Sequence, residues 1–307
     1  MKIILSRKGF DSSTAGIASP ILPDSFLLSL PIPRKDSTFT YNDLSSEGKS
    51  LGSVVQDLSK GRKRSFSGYD IAHVDPDLDR ERIKNRPEGW RPIFGQHKGD
   101  QTHLKKQGVG QGDLFLFFGW FHKTNYDVNG ILTFLPDSPD VHVIFGWLQI
   151  GKVYSISETT ICELPDWALY HPHVAKRGMY KPNNTIYIAK ENLILEEREV
   201  INRDGLAVSG GGVFHRFHPM LQLTWPGYSR SYWKLPHWFY PFNPHESRKP
   251  LSYHGKRIDR WKLEGDHVLL ETVARGQEFV LDTKDYPEAI DWIKAIFKAA
   301  PIKTNKS

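Results

Sequence analysis

The chain has 307 residues with 41 Lys or Arg, 35 Asp or Glu, 12% aromatic residues and a net charge of +6. Its lone cysteine, Cys162, excludes an internal disulfide and any metal site built from several thiolates, which is typical of an intracellular protein. No segment reaches the roughly 18 to 20 apolar residues of a membrane span, and the short apolar start does not predict a secretory signal. We therefore expect a cytoplasmic protein without membrane association, whose positive charge and aromatic content are compatible with nucleic-acid binding.

In chain order, the patterns predict a mixed, β-rich α+β fold. Apolar runs predict strands over 2–6, 114–121, 131–135, 141–156 and 184–189. Helical spacing and caps predict helices over 51–58, 78–83 and 287–299, with Asp77 as the N-cap of the second. A hairpin is expected from 267–274 and 278–281. Because the central strands are closely spaced with glycines at their bends, we also expect a small β barrel in the middle of the chain.

These elements suggest three segments of one integrated domain. Residues 1–104 form an N-terminal α/β segment, 105–195 the barrel, and 196–307 a Trp- and Pro-rich segment with the hairpin and the last helix. We found no internal repeat or low-complexity segment, so solenoids, propellers and coiled coils are not expected.

The loop after the first strand is a candidate phosphate-binding site. It contains Arg7, Lys8, Asp11, Ser12 and Ser13. Backbone N–H groups and hydroxyls in such a loop can hold a phosphate while the two cations balance its charge. The segment matches neither the Walker pattern nor the dinucleotide fingerprint. The alternative is a surface loop in which Asp11 and Ser12 satisfy amides of their own turn.

Residues 73–79 combine a histidine with several carboxylates. If the strand before them continues to Asp75, alternation places His73 and Asp75 on one side, where they can transfer a proton or bind a cation. We expect these two residues to be catalytic. The spacing defines no specific metal motif, although Asp75 and Asp77 would be the ligands of a divalent cation. With one imidazole, oxygen ligands favour magnesium or manganese over zinc. The alternative is turn and helix-cap chemistry.

A His-Pro-His sequence lies downstream of Cys162. His171 and His173 with Cys162 suggest either a Cys–His nucleophile or a two-histidine metal site. No further ligands follow at metal-binding spacing, which favours a packed polar turn. Catalysis by Cys162 is disfavoured because the nearby Glu158 and Glu163 oppose thiolate formation.

Two Gly-Trp pairs mark candidate base-binding residues. Trp120 and Trp147 follow glycines in the two longest apolar strands, where a small barrel can open a pocket. A base can stack between such rings, and Gln149 would read its edge. The alternative is core packing, which aromatic residues at alternating strand positions usually serve.

Long blocks of the sequence resemble the third class of the nucleotide modification associated domain family. They include residues 1–13, AHVDPDL at 72–78, GVGQGDLFLFF at 108–118, YHPH at 170–173 and RGQEFV at 275–280. The resemblance covers essentially the whole chain. It implies a bacterial or phage protein linked to systems that modify nucleobases, but it supplies neither a reaction nor catalytic residues.

Residues 108–193 are also similar to the PUA-like superfamily, including its EVE and ASCH relatives, in the spacing of their strand motifs. The similarity consists of a Gly-Asp strand start at 112–113 and a later Gly-x-x-x-Ile-Gly-x-Val strand at 146–153. It implies a small barrel that holds RNA or a modified base. The segments on either side have no counterpart in a stand-alone barrel.

These observations favour a protein that acts on nucleotides or on bases in nucleic acid, with nucleotide or nucleic acid as its partner. The first alternative is a non-catalytic PUA-like reader of modified bases. The second is a structural partner in a modification or defence complex, with residues 225–242 as its contact surface.

Overall fold

The computed structural model describes residues 1–175, 180–243, 247–255, 257–273 and 276–303. The strands of the described residues are β1 Lys2–Arg7, β2 Ser19–Ile21, β3 Ile32–Pro33, β4 Ser45–Ser46, β5 Lys49–Ser50, β6 Ala72–His73, β7 Ile93–Gln96, β8 Leu114–Tyr126, β9 Leu132–Phe134, β10 Val141–Ser155, β11 Thr185–Ala189, β12 Ile194–Leu195, β13 Arg198–Glu199, β14 Gly211–Val213, β15 Tyr232–Pro236, β16 Trp261–Glu264, β17 His267–Glu271 and β18 Glu278–Asp282. The α-helices are α1 Leu51–Ser59, α2 Lys98–Lys106 and α3 Glu288–Ala299. The α+β class is therefore confirmed.

One large sheet organises the molecule. Its strand order is β18-β1-β8-β10-β11-β7, with β2, β9 and β14 paired at its sides. The long strands β8 and β10 are buried along most of their length, which explains their continuous apolar sequence. Strand β1 runs parallel to β8 and antiparallel to β18, so strands from all three predicted segments pair in this sheet.

Two expectations about strand pairing need correction. Among the described residues, the strand order is open and no closed barrel forms, because β1 and β18 extend the sheet beyond the central segment. The predicted hairpin is wrong as well: β17 pairs with β15 and β16, whereas β18 pairs with β1. Residue 274, where the first arm of that hairpin was expected to end, lies outside the described residues.

The helices agree with the predicted apolar stripes. Helices α1 and α3 bury the expected residues, and Ser50 caps α1 by accepting a hydrogen bond from an amide of the first turn. The predicted helix at 78–83 is a single 3₁₀ turn at 80–82, capped by Asp79 instead of Asp77. Helix α2 was not predicted because its sequence is mostly polar and it buries few side chains. None of the described helices combines the length and apolarity that crossing a membrane requires.

A small apolar cluster positions the candidate site. Ile93 of β7, Ile186 of β11 and Val174 pack together with Ala168 and Leu164. Since Val174 directly follows the His-Pro-His sequence, this packing holds that loop against β7 and β11. The short pair of β3 and β6 brings His73 to the same region.

Candidate active site

His73 and Asp75 lie close together, although the strand does not continue to Asp75 as expected: β6 ends at His73, and the Asp75 N–H donates to the His73 carbonyl in a tight turn. His73 ends β6, and its Nε2 atom is 3.7 Å from Oδ2 of Asp75. Both side chains are buried, with 4% and 6% of their surface exposed. A histidine and a carboxylate withdrawn from water in this way must be paired or bound to a cation, because an isolated buried charge is costly.

Two further histidines converge on the same carboxylate. Nε2 of His171 is 3.3 Å from Oδ1 of Asp75, and Nε2 of His173 is 3.4 Å from Oδ2. Both imidazoles are almost fully buried. Three imidazole nitrogens from two distant sequence segments thus surround one carboxylate.

Hydrogen bonds fix the orientation of these rings. Asp36 lies 2.7 Å from Nδ1 of His73, and the side-chain oxygen of Asn184 lies 2.7 Å from Nδ1 of His173. The Asn184 amide nitrogen also donates to the His173 carbonyl, at 2.6 Å. The backbone N–H of Gly95 donates to Oδ1 of Asp75, at 2.8 Å. Each ring that faces Oδ2 of Asp75 is therefore anchored through its far nitrogen.

Neighbouring side chains keep the carboxylates of Asp75 and Asp36 ionised. Burial alone would raise the pKa of Asp75, but its close contacts with His171, His173 and His73 outweigh burial and hold that pKa well below its usual range. Burial likewise opposes the lowered pKa of Asp36, which follows from its contacts with His73 and Lys181.

The pKa values of His73 and His173 shift in opposite directions. Burial would lower the pKa of His73, but its hydrogen bond to Asp36 and the nearby charge of Asp75 raise it. The pKa of His173 is lowered, because burial outweighs the attraction of Asp75. His173 is therefore the more strongly neutral of the two imidazoles.

Positive groups surround the cluster on one side. The His97 ring stacks on His173 with 5.0 Å between ring centres. Burial first, and then the charges of His173, Lys181, Arg34 and Lys98, lower the pKa of His97 to about 3. Lys181 and Arg34 also pair with Asp36, at 2.6 and 2.9 Å. These cations make this side of the cluster attractive to an anion.

Asp77 is not part of the cluster. Arg86 lies 2.5 Å from one of its carboxylate oxygens, and the Tyr170 hydroxyl donates to the other. Arg86 also stacks on the rings of Tyr170 and Trp90. The structure thus assigns Asp77 to a buried structural network, apart from Asp75.

The cations of the N-terminal loop contact protein groups. Lys8 forms a 2.6 Å ion pair with Glu278, whose side chain is fully buried. Arg7 donates to the carbonyl of Gly276 at 2.8 Å and is largely buried. Phosphate binding by Arg7 and Lys8 stays a prediction, and it would have to compete with these contacts.

The polar residues of that loop close a turn. Oδ1 of Asp11 accepts hydrogen bonds from the amide and hydroxyl groups of Ser13 and Thr14. The Ser12 hydroxyl accepts one from Arg230. This geometry favours the alternative of a self-satisfied surface loop over a phosphate cradle.

The predicted base-binding residues occupy different environments. Trp147 is fully buried and donates to the Ser209 carbonyl at 2.9 Å. Gln149 is also buried, and its side chain bonds the backbone of Ile194 at 2.7 and 2.8 Å. A base could not reach these two residues without opening the core. Trp120 is partly exposed, with the Arg230 guanidinium 4.0 Å from its ring centre.

Sequence reasoning missed how the site is assembled. His171 and His173 were interpreted as a separate polar turn, and Asp36 and His97 were not considered. The available signal was a pair of short motifs, His-x-Asp at 73–75 and His-x-His at 171–173, each of which presents two potential ligands. Cys162 is exposed and contacts the Thr159 carbonyl, and it has no place among the described contacts of the cluster.

Comparison with known proteins agrees with the resemblance seen in the sequence. The sequence model described as nucleotide modification associated domain 3 matches residues 2–282. No curated protein and no solved structure matches the chain. The PUA-like similarity has no support from these comparisons and stays a prediction. Because the family match spans most of the 307 residues, the chain belongs to the nucleotide modification associated domain 3 family, which associates it with nucleotide modification.

Proposed function

We propose that this protein is an enzyme of a nucleotide modification system, acting on a nucleotide or on a base in nucleic acid. The observation that carries the proposal is the convergence of His73, His171 and His173 on the buried carboxylate of Asp75. Burying several polar and charged groups in one place costs folding free energy. Such clusters of perturbed titratable groups are typical of catalytic sites.

The residues of the cluster have the chemistry that a base or sugar modification requires. Imidazoles transfer protons near neutral pH, and the Asp36–His73 pair orients one ring in the manner of a carboxylate that supports a general base. His171 and Gly95 hold one oxygen of Asp75, which leaves the other to face His73 and His173. The reaction would take place on this second oxygen's side.

The surrounding charges support a phosphate-bearing substrate. Arg34, Lys98 and Lys181 lie near His97 at the edge of the cluster. A guanidinium and two ammonium groups attract a nucleotide phosphate and can place the base or sugar over the imidazoles. This arrangement supports a phosphate-recognition site beside the cluster, proposed in addition to the predicted one at Arg7 and Lys8.

The proposal is tested with Asp75→Asn and His173→Gln. Cells that produce each variant are compared with wild type by mass spectrometry of nucleosides from DNA, from RNA and from the free pool. The matched control is His142→Gln, since His142 is a buried histidine outside the cluster. We expect a nucleoside change that requires wild type or the control variant and disappears in both cluster variants. Identical profiles for wild type and folded cluster variants would refute catalysis at this site.

One observation favours a second candidate, a non-catalytic reader of nucleic acid. Trp120, Arg62, His122 and Phe134 line a cavity of about 210 Å³, and Arg230 covers the Trp120 ring. Aromatic and cationic groups side by side are typical of single-stranded nucleic-acid contacts. This candidate predicts salt-dependent oligonucleotide binding that Trp120→Ala weakens. If Trp120→Ala binds as wild type does, this surface is not the contact.

A further inference from the structure

We infer that His73, Asp75 and His173 form a binding site for one divalent transition-metal ion, either zinc or ferrous iron. The inference rests on the proposed function, because it names the cofactor of the same site. It is carried by the distances between the three side chains, by the hydrogen bonds of the two imidazoles and by the groups that support them.

The distances fit a single small cation. The ligand atoms of His73, Asp75 and His173 all lie within 4.8 Å of one another. Oδ2 of Asp75 is 3.7 Å from the first imidazole and 3.4 Å from the second. Two ligand atoms that each lie about 2.0 to 2.1 Å from a tetrahedral ion are about 3.3 Å from each other. Both measured separations are close to this value.

The hydrogen bonds show which ring atoms face inward. Oδ1 of Asp36 lies 2.7 Å from Nδ1 of His73, and Arg34 and Lys181 donate to Oδ2 of the same carboxylate, so we place a proton on Nδ1 of His73 that is donated to Asp36. Nδ1 of His173 donates to the Asn184 side-chain oxygen, whose assignment follows because the Asn184 nitrogen donates to a carbonyl. Metal binding requires both rings to be unprotonated at their second nitrogen, and each Nε2 then presents a lone pair to Oδ2 of Asp75. A metal ion between these acceptors satisfies all three of them.

His171 has a different role from its neighbours. Its Nδ1 atom lies 3.3 Å from the backbone N–H of His173 and accepts a hydrogen bond from it. The proton of this ring is therefore on Nε2, which faces Oδ1 of Asp75 at 3.3 Å. The Gly95 amide donates to this same oxygen and leaves Oδ2 directed at the proposed ion, while His171 packs beside Oδ1 without completing a hydrogen bond.

The supporting groups match those of metal sites. Metal-binding histidines usually donate their second nitrogen to a carboxylate or carbonyl oxygen, which fixes the ring and raises its basicity. Asp36 serves His73 in this way, and Asn184 serves His173. Both ligand rings are almost fully buried, so water competes little for the ion.

The donor set selects the class of metal. Two imidazoles and one carboxylate suit zinc and ferrous iron, whereas magnesium and calcium prefer oxygen ligands. The preference for magnesium or manganese that a single histidine would give is therefore reversed by His173. Three protein ligands leave a coordination position for water or substrate, as in catalytic metal sites.

The test begins with metal content and affinity. The full chain, without a histidine tag, is purified in air and under anaerobic conditions, and its zinc and iron are quantified by mass spectrometry. The chelated protein is then titrated with Zn²⁺, with Fe²⁺ under anaerobic conditions, and with Co²⁺ as a spectroscopic probe. We expect one equivalent of a single metal, and cobalt spectra that indicate nitrogen and oxygen ligands in low coordination.

Variants separate ligands from general stability. His73→Gln and His173→Gln should lose the stoichiometric metal, and the control His142→Gln should keep it. Asp36→Asn retains all three ligands and should weaken metal affinity by about 10- to 100-fold, because only the orienting carboxylate changes. If one ligand variant fails to fold, the Asp36→Asn titration still decides the question.

Each outcome bears on one proposal. Absence of Zn²⁺ and Fe²⁺ binding to the chelated protein, or equal binding by wild type and folded ligand variants, would overturn the metal site. Nucleotide turnover by metal-free protein would overturn the metal site and leave the proposed function standing. Stoichiometric metal without any nucleoside change would leave the metal site and overturn the proposed function.

Discussion

The backbone of Gly95 offers the sharpest test of the site geometry. Gly95 lies in β7, in an extended conformation that alanine also adopts, and it packs directly against the His173 ring. A Cβ atom at this position would lie 2.4 Å from Cγ and 2.6 Å from Cδ2 of that ring. Gly95→Ala therefore perturbs His173 by contact, without adding charge or removing a ligand.

The size of the effect follows from these distances. Carbon atoms in contact are normally about 3.5 to 4.0 Å apart, so the ring or the strand must shift by roughly 1 Å. A shift of that size displaces Nε2 of His173 from Asp75 and strains its bond to Asn184. Misplacing a reacting group by about 1 Å can lower a rate about 100-fold, and we expect at least a 10-fold loss of metal affinity. Overpacking should also cost about 1 to 3 kcal/mol of stability.

A matched variant separates the two effects. Gly212→Ala places a Cβ atom 2.9 Å from the buried Trp147 ring, in the same sheet but outside the cluster. Zn²⁺ affinity is measured by competition with a chromophoric chelator, and stability by denaturant unfolding of the metal-free proteins. Gly95→Ala should lose both metal affinity and stability, and Gly212→Ala stability alone. Wild-type Zn²⁺ affinity in Gly95→Ala would show that His173 is not held as the structure places it.

Two further predictions concern buried charge. His142 is buried and accepts a hydrogen bond from Trp233, and burial lowers its pKa from 6.5 to about 3. Its folded pKa lies below its unfolded value, so stability is full above pH 6.5 and falls as pH decreases toward 3; between pH 6.5 and 5 the loss is at most about 2 kcal/mol. His142→Gln should reduce this loss of unfolding free energy, measured by denaturant titration at pH 7.5 and pH 5. If the variant loses as much stability between these pH values as wild type does, the prediction is wrong. Lys8→Met leaves the buried Glu278 carboxylate without its cation and should lower the free energy of unfolding by about 3 to 5 kcal/mol. Adding Glu278→Gln to the same chain should restore most of this stability. Normal nucleotide affinity in that folded double variant would exclude phosphate binding by Lys8.

The sequence predicts those parts of the fold that depend on local patterns. Helices α1 and α3 carry apolar stripes with a 3.6-residue period, and strands β8 and β10 are long apolar runs, so their positions are confirmed. The choice of strand partner is not local. Strands β17 and β18 are neighbours in sequence, yet β18 pairs with β1 at the other end of the chain. That choice depends on burial across the whole sheet, which no window of sequence contains.

The same distinction applies to the candidate site. Closeness in sequence was sufficient to suggest that His73 and Asp75 meet, because one residue separates them, although a tight turn and not strand alternation brings them together. Bringing His173 to the same carboxylate requires the pairing of β7 with β11 and the packing of Val174 on Ile93. These are long-range contacts between residues about 80 positions apart in sequence. The sequence therefore indicated half of the cluster, and its single histidine favoured magnesium or manganese where the second imidazole leads us to propose zinc or ferrous iron.

The net charge of +6 also acquires a different meaning once contacts are known. Lys8 was the cation singled out for phosphate, yet its charge is balanced by a buried carboxylate. Arg34, Lys98 and Lys181 attracted no attention in the sequence, because they lie far apart along the chain. They gather near His97 only in the folded chain, beside the imidazoles that would do the chemistry. Arg34 and Lys181 share the single carboxylate of Asp36, so three cations face one anion there. The charge that acts on a substrate is what remains after such internal pairs are formed, so the position of the cations matters more than their number.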